Sequence, residues 1–242
     1  MRYFLYMTRF FIRMMMLLVL CSALLLSCEA RIEGSLAADG SASMTVNISL
    51  YPRMAALIQN FFSAAGQQGN VLESSSIARS MAEAPGIASV TFRNTSPSAI
   101  NGQVRISQIS DFLSVTGAQS FITYERRGAG GRCQINIDRS NGSAILDLLS
   151  PQITDYLNAL MAPIVTEEEI NRNEYLELVT SFYNRNITDE IVRSNIRASI
   201  DFPGNVTGAA GGTFSGRRAT FNIPLLDLLV LETPLRYEVT WN

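Results

Sequence analysis

Histidine and lysine are both missing from this 242-residue chain, and cysteine and tryptophan are rare, at three and one. Without histidine there is no Ser/His/Asp triad, no Cys/His dyad and no histidine-ligated zinc. Every one of the 19 basic residues is arginine, and nothing in the sequence supplies a reason. The glycine-rich stretch Gly208, Ala209, Ala210, Gly211, Gly212 therefore lacks the lysine of a phosphate-gripping P-loop. It also precedes a strand pattern rather than a helix, so it reads as a hairpin tip. Gly128 to Gly131 reads the same way.

Acidic residues are absent from the first 28 positions, where Arg2, Arg9 and Arg13 precede an apolar run from Met14 to Leu26. Charge followed by a short apolar run is the pattern of a secretory signal, too short for a membrane-spanning helix. The run closes on Leu25, Leu26, Ser27 and Cys28, which together read as a bacterial lipobox. The small Ser27 suits cleavage before Cys28, whose thiol would take diacylglycerol and palmitate-type acyl chains. Cys21 is the poorer candidate, because bulky Leu20 stands where a small residue is wanted. The expected layout is a signal peptide over 1–27, a tether over 28–34 and a single α+β domain over 35–242. The expected location is the bacterial cell envelope, with the protein held to the membrane through Cys28.

From residue 28 onward, 16 arginines stand against 21 acids, a net charge of −5. That balance argues against a nucleic-acid partner and against a general attraction to anionic headgroups. With Cys28 acylated, Cys133 is the one free thiol, so neither a disulfide nor a multi-cysteine metal site is expected. Cys133 falls in a strand pattern and reads as a buried structural cysteine.

Period-two alternation of Ala42, Met44, Val46, Ile48 and Leu50 after Asp39 and Gly40 predicts a β-hairpin with one buried face. Pro52 suits the first turn of a helix carrying Leu57, Ile58, Phe61 and Phe62, and a second helix is expected from Ser75 to Ala84. Strands are expected at 88–93, 103–109, 121–126 and 132–138. Ile145, Leu148, Leu149, Ile153, Tyr156, Leu157 and Leu160 mark an amphipathic helix that Pro151 kinks or divides. Thr166 and Glu169 match a capping box for a helix reaching Tyr183. Further strands follow around Ile196 to Phe202, Arg217 to Ile223 and Leu235 to Trp241, with a compact apolar turn from Leu225 to Leu231. A final strand ending on the one tryptophan is expected to dock in a sheet. The reading is α+β: an antiparallel sheet from N-terminal, middle and C-terminal strands, with amphipathic helices on one face. Terminal β sections on either side of central helices favour one domain over two.

Leu36, Asp39, Gly40, Ser41 and the alternating strand to Leu50 resemble the start of the LppM-type bacterial lipoprotein domain. Phe202, Pro203, Gly204 and Asn205, then Ala219, Phe221, Pro224, Leu225 and Trp241, are similar to its end. The resemblance implies an envelope lipoprotein with lipid-binding ability, and brings no catalytic motif.

The function expected is accordingly non-enzymatic, without a cofactor: a lipid-anchored domain that binds an apolar ligand or partner. The candidate lining is Leu57, Phe61 and Phe62 with Leu225, Leu228 and Leu229, although such stripes also build cores. The alternatives are an assembly protein contacting other envelope proteins, and a hydrolase using paired carboxylates such as Asp201 and Asp227. Glu167, Glu168 and Glu169 read as a solvated helix start. Arg126, Arg127, Arg217 and Arg218 read as charged hairpin ends, with phosphate or acidic-glycan contact as the other option.

Overall fold

The computed structural model describes residues 29–64, 66, 69–115, 117–128, 130–149 and 151–242. The fold is α+β, but its strands form two sheets rather than one. The first sheet holds β1 (Glu29–Leu36), β2 (Ala42–Ser49), β3 (Ile87–Ser96), β4 (Ala99–Ile106), β7 (Asn195–Asp201), β9 (Gly212–Ser215) and β10 (Arg218–Pro224). Their spatial order is β3-β4-β2-β1-β7-β10-β9. The second sheet, ordered β5-β6-β11-β8, holds β5 (Ile122–Arg127), β6 (Gly130–Ile137), β8 (Val206–Ala210) and β11 (Leu235–Trp241).

Positions 29–34 are not a tether. They are the first residues of β1, paired to β2 on one side and to β7 on the other. Ile32 and Gly34 face inward, so the segment is held by two ladders as well as by its apolar side. The β1–β7 pair is parallel, with Ile32 beside Ala198, while the other pairs are antiparallel. The Asp39–Ser41 turn joins β1 to β2, and the Asp39 carboxylate accepts from Ser41 N at 2.9 Å and from its Oγ at 2.7 Å.

The glycine-rich stretch Gly208 to Gly212 turns between two strands, as expected of a hairpin tip, although neither strand stood out in the sequence pattern. β8 joins the second sheet through β11 and β9 joins the first through β10, with Gly211 between them at φ +75°. That left-handed turn, possible at low cost only for glycine, lets one hairpin pass from sheet to sheet.

The helices are α1 (Pro52–Ala64), α2 (Ser74–Ala82), α3 (Ile109–Val115), α4 (Pro151–Ala159), α5 (Pro163–Thr166), α6 (Arg172–Phe182), α7 (Arg185–Arg193) and α8 (Leu225–Val230). Pro151 starts α4 and so separates it from a tight helical turn at Gly142–Leu148, as expected of a proline. The expected capping box at Thr166 is misplaced. Thr166 ends the short α5, and the box closes at Asn171 and Glu174: Asn171 Oδ1 accepts from Glu174 N at 3.0 Å while Glu174 Oε2 accepts from Asn171 N at 2.8 Å. Both quartets fit the pattern, but only the second is followed by an inward stripe, Tyr175 and Val179.

The main core lies between the helices and the inner faces of both sheets, around Leu72, Ile100, Tyr175, Val179, Ile191 and Leu229. Tyrosines tie the helical layer together. Tyr175 donates to Leu160 O at 3.1 Å, Tyr183 to Ala159 O and Tyr156 to Val71 O, so each buried hydroxyl finds a carbonyl. A smaller core of Leu36, Phe202, Val206, Ala219, Val239 and Trp241 joins the two sheets.

Candidate functional site

The two candidate apolar stripes both pack into the main core. Leu57 and Phe62 of α1 are half-buried, and Phe62 lies 5.2 Å from the Tyr156 ring. On α8, Leu229 is fully buried, while Leu225 and Leu228 are half-buried against the same cluster. Phe61 differs from these. It is 41 % exposed and meets Tyr183 edge-on at 6.1 Å. Phe182, beside that tyrosine at the end of α6 and not singled out from sequence, is 66 % exposed. Exposed aromatics such as these two on the helical layer are suited to an apolar partner.

Glu167, Glu168 and Glu169 lie after α5 instead of starting a helix, and all three are exposed. They line an open cleft with Arg139, Ile164 and Leu231. Arg139 Nη2 donates to Ile170 O at 2.7 Å across this region. Glu167 and Leu231 close α5 and α8 in left-handed conformations, φ +60° and +49°. Among the described residues no group of three or more cysteines, aspartates and glutamates is arranged to hold a metal.

Asp201 and Asp227 are not brought together. Arg218 binds Asp201 with two bonds, of 2.9 and 2.6 Å, which hold its carboxyl below the ordinary aspartate value. Arg172 binds Asp227 at 2.8 Å on α8, beyond the opposite end of β10. The arginines flagged near hairpin tips brace their own loops. Arg127 pairs with Glu125 at 2.8 Å, Arg126 Nε donates to Gly128 O at 3.4 Å, and Arg217 Nε donates to Phe202 O at 2.8 Å.

Cys133 lies in β6 against the inter-sheet core, and burial pushes its thiol up to about 11. Half-buried and protonated at pH 8, it lacks the thiolate that is the reactive form. Native protein is expected to resist alkylation at Cys133, and denatured protein to react within minutes. Peptide mapping with iodoacetamide at pH 8 checks this, and rapid native modification would contradict it. Ser27 and Cys28 lie outside the described residues, immediately before β1.

Among the described residues no helix is long and apolar enough to cross a membrane. No protein-family model and no curated protein matches the sequence. Among solved structures, the chain is similar to the NMR structure of the folded domain of the Mycobacterium tuberculosis LppM protein. The likeness covers 88 % of each chain at 9 % identity, with a TM-score of 0.38. It is a distant likeness, from which no residue role is transferred.

Proposed function

We propose that this chain is a lipid-anchored, non-enzymatic protein of the bacterial cell envelope, attached through acyl chains on Cys28. Its α+β body binds an apolar ligand or partner. The observation that carries this reading is the ordered signal of three arginines, an apolar run and Ser27–Cys28, followed directly by a strand that begins at Glu29. An anchor so placed would hold the body close to the membrane. Two or more acyl chains suffice for stable attachment, whereas a single one gives marginal binding. The exposed Phe61 and Phe182 support the binding half of the reading, because they are large apolar side chains left in water beside a well-filled core.

Metabolic labelling with a palmitate analogue in a bacterial host tests the anchor. The wild-type chain is expected to incorporate label, and Cys28→Ser to lose all of it. Equal labelling of the two, or none in either, would overturn the reading.

A further inference from the structure

The outer face of the first sheet carries charge of the opposite sign to the protein as a whole. Strand register puts Arg93, Asn101, Asn47, Arg31, Arg197 and Asn222 in one row across β3, β4, β2, β1, β7 and β10. The next row, from Thr91 through Gln103 and Thr45 to Thr220, is polar, and its one charged residue is Glu33. The third includes Arg105, Asp201 and Arg218. The three rows hold five arginines and two acids, and Glu29, at the next position of the same face parity on β1, adds a third acid, leaving 11 arginines and 18 acids for the rest of residues 28–242. The helical layer packs on the opposite face of the sheet, and Arg31, Arg93, Arg105 and Arg197 are exposed.

Arg31 and Arg197 are register neighbours in the parallel β1–β7 pair, one strand spacing of about 4.8 Å apart. The pair sets two guanidinium-bearing positions side by side on the outer face, where an anion lying over the sheet can meet both. Arg93 and Arg197 make no ion pair among the described residues, and between Arg93 and Arg31 in the row stand two hydrogen-bonded amides, Asn101 and Asn47. No aliphatic or aromatic side chain lies in these rows, which suits contact at headgroup depth and not insertion.

We propose that this arginine and amide face docks on the anionic phospholipid headgroups of the membrane that holds the anchor. The proposal rests on the Cys28 anchor for its location, since Arg31 follows that residue by three positions. Orientation, which a flexible lipid anchor leaves open, is then set by the sheet.

The test uses the full chain, processed in a bacterial host and placed on vesicles of phosphatidylcholine alone or with phosphatidylglycerol. An environment-sensitive dye is attached at Thr91→Cys on the outer face, or at Glu177→Cys on the helical layer as control. Quenching by acrylamide, a neutral solute, is expected to fall severalfold at Thr91→Cys on the anionic vesicles and to stay unchanged at Glu177→Cys. Raising salt from about 0.1 M to about 1 M removes the protection. The Arg31→Gln, Arg93→Gln, Arg197→Gln triple variant also removes it, lowering the docking equilibrium constant on the order of 100-fold. Equal quenching on both vesicle types, or protection unaffected by the triple variant, overturns the proposal while leaving the anchor intact. Failure to float with neutral vesicles overturns the anchor instead. The anionic vesicles then read the face alone: salt-sensitive protection at Thr91→Cys supports it, and no binding overturns it.

Discussion

Replacing Trp241 with alanine is expected to lower the unfolding free energy by about 3–5 kcal/mol, as for other buried aromatic truncations. A domain of this size is held by only about 5–15 kcal/mol, so the variant sits near the edge of folding. Trp241 is 5 % exposed, lies tilted against Phe202 at 4.9 Å and stacks with Tyr124 at 6.2 Å. Beneath it lies Gly131, its register partner in β6, where a Cβ would come within 2.4 Å of the indole. The ring thus fills the space that glycine leaves and joins β11 to both neighbouring strands and to the Phe202 corner of the other sheet. Its Nε1–H is buried without a hydrogen-bond partner among the described residues. Trp241→Phe therefore removes a polar group that is already unsatisfied, and is expected to cost about 1–2 kcal/mol, well below the alanine variant. Urea unfolding followed by far-UV circular dichroism reads both variants. A loss below about 1 kcal/mol for the alanine variant would show that the indole does not bridge the sheets.

Glu190→Ala is expected to cost about 2–3 kcal/mol, a fall in Tm of roughly 5–10 °C. Helix α1 begins at Pro52, and the residue before it, Tyr51, has no short side chain to cap the free amides of the first turn. Glu190 supplies the missing acceptor from α7. Its Oε2 accepts from Met54 N at 2.7 Å and its Oε1 from Arg53 N at 3.3 Å, and the residue is 4 % exposed. The carboxylate also sits at the positive end of the α1 dipole. Arg193, one turn along α7, lies over the Tyr51 ring at 5.3 Å, so one helix fixes the start of the other twice. Glu190→Gln keeps one carbonyl acceptor and is expected to lose about 1 kcal/mol. Thermal unfolding of the two variants checks this, and an alanine variant as stable as wild type would contradict it.

Local pattern was legible where one physical period dominated. The alternation of β2 and β11 and the apolar stripe of α1 are written in the chain because half of each element faces a core. Partner choice was not. The parallel β1–β7 pair, the division into two sheets and the strands on either side of Gly211 depend on which segments meet after folding. The same holds for Glu190, which caps a helix 136 residues away. The arginine row shows the limit most clearly. Alternation marks Arg31, Arg93 and Arg197 as outward residues of their own strands, but only register makes them one surface. The stripes of Leu57, Phe61 and Phe62 and of Leu225 to Leu229 carried the opposite ambiguity. A core-facing helix and a ligand-facing helix share one pattern, and here only Phe61 stands out into solvent.

The central claim, that Cys28 carries the protein's membrane anchor, is tested most directly by mass spectrometry of the mature N-terminal peptide. The account predicts a peptide that begins at Cys28 and carries diacylglycerol on its sulfur, with the mass of the attached acyl chains. An unacylated peptide, or one beginning at another residue, would contradict it.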